Sequence, residues 1–395
     1  MPTFNMVAGD HSVFGWDALG GYDVTSDRAR KIVLTFSEDA MGRAFDGARD
    51  PWQVVLNIRG GEVRNVVWLE EDGDVLARAT GIETDAEIVR TFLDPDVNKG
   101  WDLYQLMLQD GATFDGIGSE GFTNDIMSSI GDDVVRSNGG NLYAKDRGGA
   151  DLYIGGSGYD QVTYQEWFWR EPAHVIQGID ADLAKGRITG PDGAVDRLRG
   201  TFEGVRGTFL DDVMRGDGRD NEFQGMMGDD TINGRGGFDF VSYRQDTDQG
   251  GDRGVTVNLA RGFARDGFGD RDRLVSIEGA QGTNGRDTFI DGGADNAYQG
   301  RGGNDRFIVK GGDDWLQGEG GADRFIFRGR GFGQDIIDDF DPGDGDRIRI
   351  AAARNQRDLE ISRDRDDTVI EFGDNSIRLD GFDGRGVDLF DYISF

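Results

Sequence analysis

Between residues 282 and 326 the chain repeats itself every nine residues. The blocks are GTNGRDTFI, DGGADNAYQ, GRGGNDRFI, VKGGDDWLQ and GEGGADRFI. Each sets a carboxylate or its amide at the sixth place: Asp287, Asn296, Asp305, Asp314 and Asp323. Each sets a large apolar side chain at the eighth: Phe289, Tyr298, Phe307, Leu316 and Phe325. Glycine crowds the first four places. Such a unit reads as a six-residue turn followed by a very short strand.

The glycines let the turn enter positive φ and approach another backbone closely, which turns their carbonyls inward as oxygen ligands. The sixth-place carboxylate adds a hard, charged oxygen, and calcium takes about six to eight oxygens in a tolerant geometry. The eighth-place side chain points into a narrow interior between two stacks of strands. Two nonapeptides make one full coil, so turns n and n+2 stack on one edge and share a cation between them. Repeats of this period build calcium-binding parallel β-helices. A disordered Gly/Asp-rich linker has a similar composition, with 65 glycines in 395 residues. A linker would not keep Asp and a bulky apolar residue in nine-residue phase.

Acidic residues number 75 against 43 basic, a formal net charge of −32. Nucleic acid and anionic membranes are therefore poor partners, and cations good ones. The length suits about two or three domains, or one long repeat array. With no cysteine there is neither a disulfide framework nor a zinc–thiolate site. The opening MPTFNMVAGD lacks the basic stretch and apolar run of a signal peptide. No run of about 18 apolar residues marks a transmembrane segment.

Residues 1–127 read as a small α+β N-terminal cap. Strands are expected over 30–36, 52–59, 62–70 and 74–80, with hairpin turns at Gly60-Gly61 and Asp72-Gly73. Short helices are expected over 84–92, with Asp85 in the first turn, and over 101–109. The first nonapeptide set follows: SSIGDDVVR, SNGGNLYAK, DRGGADLYI and GGSGYDQVT, from residue 128 to 163. Its sixth places are Asp133, Leu142, Asp151 and Asp160. Leu142 leaves its turn without a carboxylate. The second set, residues 207–242, reads GTFLDDVMR, GDGRDNEFQ, GMMGDDTIN and GRGGFDFVS, with Asp212, Asn221, Asp230 and Asp239 at the sixth places. Insertions over 164–206 and 243–281 separate the sets. They resemble each other, IDADLAKGRITGPDGAVDRL matching VTVNLARGFARDGFGDRDRL. The alternation Val255, Val257, Leu259 suggests strands that continue the sheet. After residue 326, GQDIIDDFDPGDGDRIRI closes the coil, and 359–362, 368–372 and 376–379 read as hairpin strands. The organisation is thus a cap (1–127), set one with insertion (128–206), set two with insertion (207–281), set three (282–326) and a C-terminal region (327–395).

On these thirteen in-phase nonapeptides the chain, from about residue 128 to its end, resembles secreted RTX, or hemolysin-type calcium-binding repeat, proteins. The resemblance implies a parallel β-roll, a right-handed calcium-binding β-helix, in three repeat sets with β-strand insertions, the whole mainly β. It implies calcium as cofactor and export by type I secretion machinery from an uncleaved C-terminal signal. It also implies ligands: the sixth-place side chains of turns n and n+2, with carbonyls from places two and four of the first turn and one and three of the second. The candidate metal residues are then Asp133, Asp151, Asp160, Asp212, Asp230, Asp239, Asp287, Asn296, Asp305, Asp314 and Asp323. The candidate glycines are Gly131, Gly148, Gly225, Gly285, Gly300, Gly302, Gly303, Gly318 and Gly320. Adding eighteen finds the same-edge partner. On that count Asp305 alone has an Asp on both sides, Asp287 and Asp323.

Many such proteins carry an enzyme or toxin domain. A zinc protease of that kind needs HExxH, and His11 and His174 lie in no such motif. Gly155-Gly156-Ser157-Gly158-Tyr159 comes near the hydrolase elbow but is a nonapeptide turn. Asp344-Gly345-Asp346 resembles part of an EF-hand loop without its ligand spacing, and reads as a turn. Trp167-Phe168-Trp169 is the densest aromatic cluster, a shield for the coil or a platform for a carbohydrate or partner. Two function classes stay open. One is a non-catalytic, calcium-dependent extracellular matrix, adhesive or surface protein with a glycan or cell-surface partner. The other is an enzyme or toxin acting through residues 1–127 or the insertions. The small cap and the missing motifs favour the first.

Overall fold

The structure is a computed structural model that describes residues 130–165 and 175–395 throughout, and before them 3–6, 22–28, 31–36, 53–59, 62–69, 75–85, 113–115 and 123–128. It divides into two compact units, Met1–Arg206 and Gly207–Phe395. Among the described residues the fold is mainly β, its only helical segments being short 3-10 turns.

The first unit opens with an antiparallel sheet of Tyr22–Arg28, Lys31–Phe36, Gln53–Arg59, Glu62–Leu69 and Val75–Asp85, the last four close to the expected strands and the first unforeseen. Thr3–Met6 pairs antiparallel with the last of these and parallel with Thr113–Asp115, so one strand joins the two kinds of sheet. The first expected helix is corrected at its start: the strand runs on through Thr84 and Asp85, where pairing of Glu62 with Asp85 extends the sheet. Residues 86–92 and the helix expected over 101–109 lie outside the described residues, as do His11, His174 and the Trp167-Phe168-Trp169 cluster.

Parallel pairing then takes over. Thr113–Asp115, Val134–Arg136, Leu152–Ile154 and Val195–Arg199 form one stack. Thr123–Met127, Asn141–Lys145, Asp160–Thr163 and Gly204–Arg206 form the other. Parallel coil pairing therefore begins before residue 128. Phe114 and Ile126 pair with eighth-place Val135 and Ala144 and are 1% and 0% exposed. They fill the interior although no Gly/Asp signature precedes them.

In the second unit the third set stacks in strict eighteen-residue register. Thr288–Ile290, Arg306–Val309 and Arg324–Phe327 pair in parallel, with Phe289 opposite Phe307 and Phe307 opposite Phe325. Arg347–Ile350 and Ile393–Ser394 extend this stack. The facing stack runs Glu222–Gln224, Phe240–Ser242, Gly279–Gln281, Ala297–Gln299, Trp315–Gln317, Gln334–Ile337 and Asn375–Leu379. Glu360–Asp364, Asp367–Phe372 and Asn375–Leu379 form the expected C-terminal hairpins.

Each insertion folds as three antiparallel strands: Asp180–Asp182, Arg187–Thr189 and Val195–Arg199 in one, Thr256–Asn258, Phe263–Arg265 and Arg271–Val275 in the other. In both, the last strand rejoins a coil stack, Val195–Arg199 beside Leu152–Ile154 and Arg271–Val275 beside Thr231–Asn233.

Every eighth-place side chain of the thirteen nonapeptides is at most 1% exposed. Phe289, Phe307 and Phe325 stack with centroids 5.1 and 4.9 Å apart. Full burial of such a side chain is worth about 1.5–3 kcal/mol, and each aromatic pair adds about 0.5–1.5 kcal/mol. With one such residue per nonapeptide the core is narrow, and much of the burden of folding falls on the turns.

Candidate metal centre

The sixth-place carboxylates form ladders. Along each ladder, Oδ1 of the later residue accepts the backbone N–H of the sixth-place residue one coil earlier. Asp287 N donates to Asp305 Oδ1 at 2.8 Å, Asp305 N to Asp323 Oδ1 at 2.7 Å, and Asp323 N to Asp346 Oδ1 at 2.8 Å. Asn296 N donates to Asp314 and Asp314 N to Asp335. In the second set Asp212 N donates to Asp230, Asp230 N to Asp272, and Asn221 N to Asp239. In the first, Asp133 N donates to Asp151 and Asp151 N to Asp196. The expected eighteen-residue pairing is thus a row of hydrogen bonds. All of these sixth-place side chains are buried.

What happens at the second oxygen differs along the ladders. The Oδ2 atoms of Asp230, Asp239, Asp305, Asp314, Asp323 and Asp335, and Oδ1 of Asp160 and Asn296, are buried with no hydrogen-bond partner. Burying an ionised carboxylate without compensation is costly. Burial, reinforced by neighbouring carboxylates, pushes Asp305 up to about 9, Asp314 and Asp335 to about 8, and Asp323 to about 7. Hard, charged oxygens held in this way are the donors calcium takes.

The first-place glycine makes room for the open oxygen. A Cβ on Gly300 would lie 2.3 Å from Asp305 Oδ2 and 2.9 Å from the Gly318 carbonyl. At Gly225 and Gly318 it would lie 1.9 and 2.2 Å from Asp230 and Asp323 Oδ2. At the fourth place Gly303 needs to be glycine for its backbone: it has φ +119° and packs against the Gly285 carbonyl of the previous coil. Gly302 and Gly320 bridge in parallel, and the Gly320 carbonyl accepts the Gly303 N–H at 2.8 Å. In the first set the Gly131 carbonyl packs under Gly149, and Gly148 N donates to Asp146. The candidate oxygens are therefore brought together most completely in the third set, around Asp305 and Asp323.

Elsewhere the chain fills the second oxygen itself. Tyr153 OH donates to Asp151 Oδ2 at 2.8 Å and lies 2.7 Å from Asp146 Oδ2, and Tyr164 OH donates to Asp196 Oδ2 at 2.7 Å. Asp146, Asp151 and Asp196 bring one oxygen each within 4.8 Å of one another. Tyr243 OH donates to Asp272 Oδ2 at 2.7 Å, repeating the arrangement in the second insertion. Asp212 and Asp287, which begin their sets, take donors from Thr208 and Thr283 on both oxygens.

Sequence reasoning missed several ladder members. Asp196 and Asp272 occupy sixth-place positions from within the insertions, Asp335 and Asp346 do so in the closing segment, and Glu203 and Glu278 accept the N–H of Asp160 and Asp239. The expectation that Asp305 alone lies between two Asp neighbours is corrected, since Asp151, Asp230 and Asp323 do as well. The insertions loop out and return in register. The matched DRL ends of the two insertions, which contain Asp196 and Asp272, were the available signal. Asp344-Gly345-Asp346 is a turn, as expected, and its Asp346 belongs to a ladder. Ser157 lies in a nonapeptide turn, its hydroxyl donating to the Gly139 carbonyl.

A family model described as RTX calcium-binding nonapeptide repeat (4 copies) matches residues 206–241 and 299–329. No curated protein matches the chain. Among solved structures, the extracellular lipase of Serratia marcescens is similar over 99% of this chain and 85% of its own, at 13% identity and a TM-score of 0.21, a likeness too low to carry an argument. The matched residues include Asp230, Asp239, Asp305, Asp314 and Asp323, five of the ladder positions with an open oxygen. Over those residues the chain carries RTX calcium-binding nonapeptide repeats, set in a mainly β fold whose long parallel stacks are consistent with a calcium-binding β-roll.

Proposed function

We propose that this is a secreted, non-catalytic protein whose coil folds on binding calcium outside the cell and serves as extracellular matrix, adhesive or surface material. The single observation that carries this reading is the row of buried carboxylate oxygens without donors. In calcium-poor surroundings these charges repel one another along each coil edge and keep the repeats expanded. Calcium supplies the neutralising charge, and the ladder then closes. The side chains assigned to it are Asp160, Asp230, Asp239, Asp305, Asp314, Asp323 and Asp335, with Asn296 as a neutral ligand. Asp151, Asp212 and Asp287 take part mainly by holding the ladder, since their carboxylates take donors from the chain on both oxygens, and Asp133 stands at the start of its ladder. The Gly318 carbonyl faces the space beside Asp305 Oδ2, and the carbonyls of Gly300 and Gly225, which hold the same first place, lie beside Asp287 and Asp212 one coil earlier.

Affinity is expected in the extracellular range of about 10⁻⁴–10⁻³ M. Type I machinery would export the chain while it is still expanded. The missing HExxH pair supports the non-catalytic reading. Among the described residues no helix is long and apolar enough to cross a membrane. Circular dichroism and hydrodynamic radius, measured in chelator and then in calcium, test the proposal. A gain of β signal and a fall in radius are expected; a chain unchanged by calcium contradicts it.

A further inference from the structure

Seventh-place residues point away from the interior, and one such row is basic. It reads Thr288, Arg306, Arg324 and then Arg347, in register on successive parallel strands. Strands stand about 4.8 Å apart, so the three arginines form a ladder of like charge with one rung per coil. All three are exposed. Like charges directly opposite on adjacent strands destabilise a sheet. Nothing within the described chain relieves Arg306 and Arg324, whose side chains make neither a hydrogen bond nor an ion pair there. Arg347 lies over the Tyr392 ring, 4.7 Å from its centroid, and donates to the Asp346 carbonyl.

Two open grooves of about 520 Å³ each flank the row. One is lined by Arg306, Arg324, Arg347, Arg349 and Tyr392, with Asp391 at its side. The other sets Arg286 beside the same three arginines, with Asp305 below. No lysine lines either groove. In a chain with a net charge of −32, a ladder of one cationic residue type in which Arg306 and Arg324 meet no carboxylate of the described chain calls for an anion from outside.

We propose that this face binds an extended acidic polysaccharide, bearing carboxylate or sulfate groups, laid along the coil axis across Arg306, Arg324 and Arg347. A guanidinium offers a planar fork that meets a planar or tetrahedral oxyanion with two bonds. A polymer with regularly spaced anions meets such forks one coil after another. Tyr392 ends the row with a ring on which a sugar face can pack. A second copy of the chain is a poorer occupant, because its exposed fifth-place carboxylates each already hold a backbone N–H of the next coil on one oxygen. Asp211 accepts the N–H of Asp229, Asp295 that of Asp313, and Asp313 that of Gln334. Repulsion from the rest of the acidic surface is screened beyond about 8 Å at physiological salt, so the contact is governed by the ladder itself.

The proposal deepens the reading of the chain as an extracellular scaffold and rests on it. The full chain, loaded with calcium, is titrated calorimetrically with a polyuronate, heparin and neutral dextran, beside Arg306→Gln/Arg324→Gln. One or both anionic polymers are expected to bind, more weakly as salt rises, and dextran not at all. The double variant should lose about tenfold or more in affinity, from two lost charged hydrogen bonds, with its calcium-induced dichroism unchanged. Should that variant fail to fold, Arg306→Lys/Arg324→Lys keeps the charge and removes the fork, and it too should bind more weakly. The proposal is overturned if neither polymer binds or if both variants bind like the parent. It is equally overturned if single-stranded DNA binds as well as the polysaccharides, or if the arginines instead drive a dimer seen by light scattering. Polymer binding by a chain that shows no calcium transition would uphold the ladder and contradict the scaffold reading.

Discussion

The ladder Asp133–Asp151–Asp196 and the ladder Asp287–Asp305–Asp323–Asp346 share one hydrogen-bonding scheme and differ at the second oxygen. In the first, Tyr153 and Tyr164 place hydroxyls on Asp151 and Asp196. On the edge of the third set that carries Asp305 and Asp323 the eighth-place residue is phenylalanine, and both carboxylates keep a buried oxygen with no donor. Tyr153 stands at the same eighth place as Phe307 and Phe325, so one hydroxyl separates a position that the chain satisfies from one that asks for a cation. Residue type alone does not settle it: the Tyr298 hydroxyl, also at an eighth place, has no partner. The lesson is that the coil has two ways to tolerate a buried carboxylate, an internal donor or an external charge, on the same backbone.

Removing an open rung should have the largest effect. Asp305→Ala deletes an oxygen facing the metal space and the acceptor for the Asp287 N–H. The stranded buried N–H alone costs about 1–3 kcal/mol, in addition to the lost calcium site. Calorimetry should show fewer ions bound and a higher midpoint, whereas Asp151→Ala should change calcium stoichiometry less. Equal effects of the two would break the comparison.

The next effect is that of pH on the calcium-free chain. Asp305, Asp314, Asp335 and Asp323 are raised in the folded state, chiefly by burial, to about 9, 8, 8 and 7 from an ordinary 3.8. A group raised on folding stabilises the fold below its unfolded value, and that stabilisation is lost as pH rises through the folded one. Without calcium, then, compaction should be favoured near pH 4 and lost progressively toward pH 9. With calcium, apparent affinity should fall as pH is lowered, because protons compete for the same oxygens. A calcium-free chain equally expanded across this range by small-angle scattering would contradict the assignment.

Much of this was legible in the sequence, and the exceptions are informative. The nine-residue period placed Phe307 against Phe325 and Asp305 against Asp323 correctly, because local turn chemistry and strand pairing share that period. Asp196 and Asp335 were not legible, because they return to the ladder 45 and 21 residues after their partners rather than eighteen. A period carries no information across an insertion. The division into open and closed oxygens depends on where a tyrosine hydroxyl ends up in space, as Tyr153 and Tyr298 illustrate. Phe114 and Ile126 joined the coil through pairing alone, with no glycine turn to announce them.

Swapping the hydroxyl sharpens the comparison at intermediate size. Tyr153→Phe should open the second oxygen of Asp151, destabilise the calcium-free first set by about 1–3 kcal/mol, and make it more dependent on calcium. Phe307→Tyr should do the reverse at Asp305 and weaken calcium binding there. Paired melts with and without calcium read both, and shifts in the same direction would contradict the account. The smallest effect is expected for Asn296→Asp. It adds charge beside an existing open oxygen, so calcium titration should tighten by a few fold, with no large change in loaded stability. A weaker midpoint would show that the amide N–H donated to the Glu278 carbonyl matters more than the charge.

The most direct measurement is anomalous X-ray diffraction from crystals of the full chain grown in calcium. The account predicts calcium peaks beside the open oxygens of Asp305 and Asp323, and weaker or no peaks at Asp196 and Asp272, where Tyr164 and Tyr243 donate. Peaks at the tyrosine-held carboxylates with none beside Asp305 would contradict it.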